Sequence, residues 1–299
     1  MLEVVGLSKR FRHSRREAVG DLSFRVAPGE IVGLIGLNGA GKSTTIRAAV
    51  GVSLPSAGDV LVDGRSITRE KASASRALGW VPEAPVHDAS RRLGQLLRYY
   101  SRMAGPDARG RPLDALADWG MLPFSDRPFR TLSMGERKRF ALAVATLRDP
   151  TYYLLDEVFN GLDPAGVAQV REWMLAQRRE RHGLLASSHQ LRELQALADR
   201  FVAVHEGRLI GEFSADAIPV STQSRLQIVF RPIDDAGVAL LRSFGEVERT
   251  SNGVSVTGKS LDAAAINRTL VQAGYSVARL EATDPDLEAH FLDLVRSHR

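Results

Sequence analysis

Cysteine is missing from this chain altogether. That excludes a disulfide framework, thiolate metal ligands and thiol catalysis, and it fits the cytosol. Long hydrophobic runs are missing too. Nowhere does the chain reach the roughly 18 consecutive apolar residues that mark a membrane-spanning helix. The opening Met1-Leu2-Glu3-Val4-Val5 lacks the basic-then-apolar layout of a secretory leader. Lysine is scarce: Lys9, Lys42, Lys71, Lys138 and Lys259 are the five among 40 basic residues. The net charge of +5 would suit nucleic acid or an anionic membrane face. No dense basic block with interleaved aromatics accompanies it, so no nucleic-acid partner is expected. What remains is ordinary for a globular protein: 299 residues, 44% hydrophobic and 25% charged, enough for one large domain and a small one.

The most informative run is Gly36-Leu37-Asn38-Gly39-Ala40-Gly41-Lys42-Ser43-Thr44. It fits the phosphate-loop pattern G-x-x-x-x-G-K-[ST]. Glycines let backbone N–H groups curl around a triphosphate, lysine reaches the β- and γ-phosphates, and the serine hydroxyl suits Mg²⁺. The apolar run Ile31–Ile35 predicts a strand entering the loop, and residues 44–50 predict a helix leaving it. An ordinary glycine turn is the plainer alternative.

Residues 1 to about 82 and 150 to about 214 alternate short apolar runs with turns and helical stretches, the pattern of an α/β sheet. Ile31–Ile35, Tyr152–Leu155, Leu184–Ser187 and Phe201–His205 are such runs. Residues 84–148 turn helical, with Leu93, Leu96, Leu97 and Tyr100 at helical spacing and breaks at Gly105-Pro106 and Pro123. From about 216 the order reads strand, helix, strand, strand, helix, strand, then a last helix over 286–297. Asn252-Gly253 signals the hairpin. That order suggests a ferredoxin-like unit.

A second motif narrows the chemistry. Thr131-Leu132-Ser133-Met134-Gly135-Glu136-Arg137-Lys138-Arg139 is followed by Asp149-Pro150 and by Tyr152-Tyr153-Leu154-Leu155-Asp156-Glu157. Then come Asn160-Gly161-Leu162-Asp163-Pro164 and Ser187-Ser188-His189. This resembles the ATP-binding cassette (ABC) ATPases, over residues 1–214, with five motifs in register. Their signature reads L-S-G-G-Q. The resemblance implies an α/β P-loop NTPase fold: a RecA-like core with a β-subdomain and a helical subdomain at about 84–148. The α+β tail at 215–299 is added to it.

Asp156, ending an apolar strand, would hold Mg²⁺; Glu157, pointing the other way along the strand, would orient or deprotonate water. Acids capping a turn are the alternative. Ser133 with Glu136 is a capping box, so helix initiation alone is a serious alternative. The resemblance reconciles the two: the same helix end, with Ser133, Gly135 and Glu136, would face the γ-phosphate bound by a partner. His189 would sense that phosphate. Asp163 would signal across the dimer, or simply serve as a turn acid before Pro164. Phe11 lies where the family stacks an aromatic on adenine; a core phenylalanine is the alternative.

The chain departs from the pattern at Glu83, where the family usually has a metal-contacting glutamine. It departs again at Met134, Glu136 and Val158. A carboxylate at 83 can still ligate Mg²⁺. The tail run Asp284-Pro285-Asp286-Leu287-Glu288-Ala289-His290-Phe291-Leu292 resembles the ending of ABC-2-type drug-export ATPases. The resemblance therefore implies an ATP- and Mg²⁺-dependent exporter subunit at the inner membrane face. It would work as a homodimer or heterodimer with a polytopic permease. An ABC ATPase acting on nucleic acid or ribosomes, or a non-hydrolysing regulator, is the alternative.

Overall fold

The computed structural model describes residues 1–297 apart from 13, 15, 106–111, 218–223, 251–252, 259–260 and 284–286. Pro106, Asn252 and the Asp284-Pro285-Asp286 start of the tail motif fall outside the described residues. The chain divides into two compact units, Met1–Ala215 and Asp216–Ser297.

The first unit holds two sheets. β1 (Leu2–Arg10), β2 (Glu17–Val26), β4 (Ala57–Val62) and β5 (Arg65–Ser66) form an antiparallel sheet in the order β2-β1-β4-β5. The larger sheet uses β3 (Ile31–Ile35), β6 (Leu78–Val81), β7 (Tyr152–Leu155), β8 (Gly183–Ser187), β9 (Arg200–His205) and β10 (Arg208–Ser214), in the order β10-β9-β3-β8-β7-β6. β6, β7, β8, β3 and β9 run parallel, and β10 closes the edge antiparallel. β3, β7 and β8 are buried at every position, as a strand covered on both faces must be.

The helices of this unit are α1 (Lys42–Ala49), α2 (Lys71–Ala74), α3 (Leu93–Ala104), α4 (Pro112–Asp118), α5 (Met134–Ala145), α6 (Pro164–Arg179) and α7 (Leu191–Gln195). Helices α3 to α5 occupy the segment read as helical. Leu93, Leu96 and Leu97 of α3 are buried. Asp163 caps α6 through the Gly166 N–H at 3.0 Å, and Pro164 opens the helix with its fixed φ.

In the second unit β11 (Ser224–Arg231), β12 (Glu246–Thr250), β13 (Gly253–Gly258) and β14 (Ser276–Thr283) pair antiparallel in the order β12-β13-β11-β14. With α8 (Asp235–Leu241) and α9 (Ala263–Gln272) between strands, this is the ferredoxin-like order. α10 (Leu287–Ser297) follows. Leu226, Ile228, Phe230, Val254 and Val256 meet Leu241, Ile266 and Leu270 in its core.

Parallel strands all point their C-terminal ends the same way. β3, β8, β7 and β6 are neighbours, so the segments that follow them emerge side by side along one edge. In open α/β sheets ligands bind at that edge.

Candidate nucleotide site

The loop after β3 approaches other backbone too closely for side chains at two positions. A Cβ at Gly36 would lie 2.5 Å from the Val204 carbonyl oxygen, and one at Gly41 would lie 2.5 Å from that of Ala18. Gly41 also has φ 105°, a conformation open mainly to glycine. The loop delivers Lys42 and Ser43 to the first turn of α1, with Thr44 next to them. No side chain caps that helix and no acid lies in its first turn, so its leading N–H groups suit an anion. The Lys42 ammonium is buried and donates to the Gly36 carbonyl at 2.7 Å.

The segments after β7 and β8 complete the cluster. Asp156 is fully buried. Its Oδ1 accepts from the hydroxyls of Ser43 and Ser187, both at 2.9 Å, while its Oδ2 is buried with no hydrogen-bond partner among the described residues. Glu157 does not continue the strand. β7 ends at Leu155, and Glu157 turns into the left-handed region at φ 45°, so strand alternation does not set its direction. Its N–H donates to Ser187 Oγ at 3.0 Å. Its Oε2 accepts the backbone N–H of His189 at 2.9 Å and lies 2.7 Å from His189 Nδ1. Its Oε1 lies 3.8 Å from Lys42 Nζ. A carboxylate only accepts, so Nδ1 carries the proton and His189 Nε2 is left to face outward. β8 itself ends at Ser187, two residues before His189.

Lys42, Ser43, Thr44, Asn38, Gly39, Ala40, Glu83 and Glu157 line one cleft of about 220 Å³. A wider one of about 610 Å³ shares Asn38, Gly39 and Ala40 and extends to Arg10, Arg16 and His205. Phe11 follows β1 with its ring half exposed and Lys9 Nζ 5.4 Å from the ring centroid, so it is no core residue. Ser133, Gly135, Glu136 and Asp163 line neither cleft, and neither do Phe11, Gly36, Asp156 and His189.

The second motif is built as a capping box. Ser133 N–H donates to Glu136 Oε2 at 2.7 Å, and Glu136 N–H donates to Ser133 Oγ at 3.2 Å. Burial alone would raise the Glu136 carboxyl pKa. The Ser133 hydrogen bonds and the Arg127 guanidinium outweigh it and hold the group below its ordinary value. Glu136 is thus committed to its own helix, and Ser133 stays exposed with its hydroxyl hydrogen free to turn outward. Asp163 Oδ1 accepts from Arg139 Nη2 at 2.7 Å, tying the start of α6 to α5.

Two residues escaped the sequence reading. Ser187 bridges both acids, but its only signal was a place beside His189. Lys138 is fully buried and donates to the carbonyls of Pro82, Glu83 and Asp156. Burial pushes its ammonium down to about 8, against the pull of Asp156, Glu83 and Glu157. Nothing in the helical pattern around it marks that position.

Comparisons with known proteins show the family. The ABC transporter family matches residues 19–160. The chain is 32% identical over 296 residues to the uncharacterized ABC transporter ATP-binding protein YhcH of Bacillus subtilis, covering 98% of this chain and 95% of that one. It is 26% identical over 299 residues to the bacitracin transport ATP-binding protein BcrA of Bacillus licheniformis, covering 99% and 97%. A solved ATP-binding subunit of an ABC transporter superposes with a TM-score of 0.66 at 30% identity, over 73% of this chain and 91% of that one. The chain belongs to the ABC transporter ATP-binding proteins, the ATPases of that family.

Proposed function

We propose that this chain powers export through a separate polytopic permease, with each ATP site completed by a second cassette. One observation carries the reading. Four adjacent strand ends gather Lys42, Ser43, Asp156, Glu157, His189 and Glu83 at one edge, while Ser133 stays exposed with its side chain in the capping box of α5. A site with its phosphate loop and acids but not its signature serine is half a site.

The residues fit Mg²⁺. Asp156 Oδ2 is buried and unpartnered, beside the Ser43 hydroxyl that Oδ1 accepts from. Ser43, Asp156 and Glu83 would hold the ion, which when bound neutralises charge on the β- and γ-phosphates. Lys42, which donates to the Gly36 and Leu37 carbonyls, would place its third N–H on the same phosphates, and the residues from Gly36 to Thr44 would cradle them. Because Oε2 of Glu157 is held by His189, Oε1 is the oxygen left to orient the attacking water and accept its proton. His189 Nε2 and the partner's copy of the signature serine would face the γ-phosphate, and Phe11 would cover the adenine. Catalysis rests on positioning and charge stabilisation. Asp163 would carry the state of one site to the other.

Val86, Tyr99 and Met103 are exposed apolar residues of the 84–148 segment, the segment we assign to the permease contact. Among the described residues no helix is long and apolar enough to cross a membrane. The chain would act from the inner membrane face. YhcH and BcrA span the tail unit as well. We read residues 215–299 as an accessory domain, regulatory or dimer-stabilising, beside an ATPase domain at 1–214. Export is supported by the tail resemblance and by BcrA's assignment to bacitracin transport.

Glu157→Gln tests the site. It should slow turnover by about 100-fold and trap an ATP-bound dimer, seen by phosphate release and sedimentation. Wild-type turnover in this variant would remove Glu157 from its role. Co-purification with a membrane protein tests the partner; recovery with ribosomes or nucleic acid alone would overturn it.

A further inference from the structure

Lys138 is a charged side chain with no solvent exposure, in a protein that uses arginine nearly everywhere else. Such groups stay buried only when their hydrogen bonds are satisfied and their charge is answered. Both conditions hold here. The ammonium has three N–H groups, and three carbonyls receive them: Pro82 and Glu83 at 2.9 Å and Asp156 at 3.2 Å. The first two carbonyls lie just past β6 and the third just past β7. The carboxylates of Asp156, Glu83 and Glu157 all act on the ammonium, yet none forms an ion pair with it within 4.0 Å among the described residues. Two buried cations therefore face three anions: Lys42, 3.8 Å from Glu157 Oε1, and Lys138, whose hydrogen bonds all go to backbone.

We propose that Lys138 is a positioning residue for hydrolysis: its ammonium pins the Glu83 segment and Asp156 to α5 and supplies the counter-charge that lets three carboxylates share one site. This rests on the roles given above to Asp156 and Glu157. Two consequences follow from where Lys138 sits. It is five residues from Ser133 on the same helix, so a displacement of the Ser133 end of α5 is felt at the Asp156 and Glu83 carbonyls of the same chain. The helix that would meet the partner's nucleotide is thereby fastened to the acid side of its own site. Second, Glu83 adds a carboxylate where the ABC pattern usually has a neutral amide, and Lys138 offsets it. Without Lys138, Lys42 alone would offset Glu83, Asp156 and Glu157 until a metal ion binds, and the three would repel one another more strongly in a poorly solvated place.

The test is a double-mutant cycle on the full chain, read as MgATP turnover. Lys138→Gln keeps N–H donors and removes the charge. It should lower kcat by about 10- to 100-fold while KM for ATP moves less than about threefold, because the phosphate loop is untouched. Adding Glu83→Gln should restore about tenfold of the loss, a recovery that a purely structural defect would not show. If Lys138→Gln does not fold alone, the cycle is read as recovery of folded protein in the Lys138→Gln/Glu83→Gln pair. Wild-type kcat in Lys138→Gln, losses that simply multiply in the pair, or a pair that remains unfolded would each overturn the proposal. Glu157→Gln is assayed alongside. If it turns over normally, the reading of the acids fails whatever Lys138 does. If it is inactive and Lys138→Gln is not, only the role of Lys138 fails.

Discussion

The strand-end cluster and the Ser133–Asp163 surface belong to one ATPase unit but are built in opposite ways. In the cluster, Lys42, Asp156 and Glu157 are buried, and Ser43 and Ser187 cross-link them. On the other surface Ser133 is exposed, and the Asp163 side chain is 62% exposed. Yet that surface is not loose: a capping box, the Arg127–Glu136 pair and the Arg139–Asp163 pair fix it. The cluster is organised inward, its acids and ammonium bonded to one another and to backbone. The surface is rigid and faces outward, as half of a contact should be. Burial separates the residues proposed to bind nucleotide from those proposed to meet a partner.

The largest expected effect breaks the comparison at its inner side. Lys42→Ala should cut ATP turnover by about 100-fold or more, since it removes the only buried ammonium lining the 220 Å³ cleft. Ser133→Arg should cut it similarly, by blocking the outer side. Mixing the two inactive variants then decides whether the halves meet in trans. A mixed dimer has one intact composite site, so it should regain up to about half of wild-type activity where two sites act independently. No recovery in the mixture, with mixed dimers present, would place Ser133 and Lys42 in the same site of one chain.

A smaller effect is expected at Asp163. Asp163→Ala removes the α6 cap and the Arg139 pair together. It should cost about 1 kcal/mol and lower Tm by about 2–4 °C. Turnover should fall further than the loss of folded protein explains if this surface is a contact. Equal losses in stability and activity would reduce Asp163 to a cap.

The smallest effect on turnover lies outside both regions. His87 packs edge-on against Phe129 and Phe140, with Nδ1 2.7 Å from the Tyr100 hydroxyl. Burial holds its pKa down to about 4 from 6.5. Between those values the unfolded chain binds the proton and the folded chain does not. The stability from keeping His87 neutral is full above pH 6.5 and is lost as pH falls toward about 4. His87→Phe should flatten that part of the stability–pH curve, measured by urea unfolding, without changing turnover at neutral pH.

Much of the fold was legible because its elements are strongly patterned. Ile31–Ile35 and Tyr152–Leu155 read as strands from unbroken apolar runs, and the tail order followed from its strand and helix patterns with the Asn252-Gly253 hairpin signal. The antiparallel sheet beside the core came only from family resemblance, since β1 and β4 are neighbours far apart in sequence. At the site, motif spacing named the residues but not their bonds. Glu157 was aimed by strand alternation, which fails two residues past the strand. Ser187 joins acids some 30 positions away, a contact that no local period records. Lys138 lies in α5, where Phe140, Ala141, Leu142 and Ala143 are also buried, so the helix shows no polar stripe for it to interrupt.

The backbone of Glu157 carries a consequence for protein engineering. At φ 45° a glutamate occupies a region that glycine and asparagine tolerate better, at a cost of order 1 kcal/mol. A library selected only for heat resistance would therefore drift toward glycine or asparagine at position 157. The survivors would be sturdier proteins that bind nucleotide and no longer consume it. Thermal selection and ATP turnover pull this one residue in opposite directions, so a stabilisation campaign must hold it fixed.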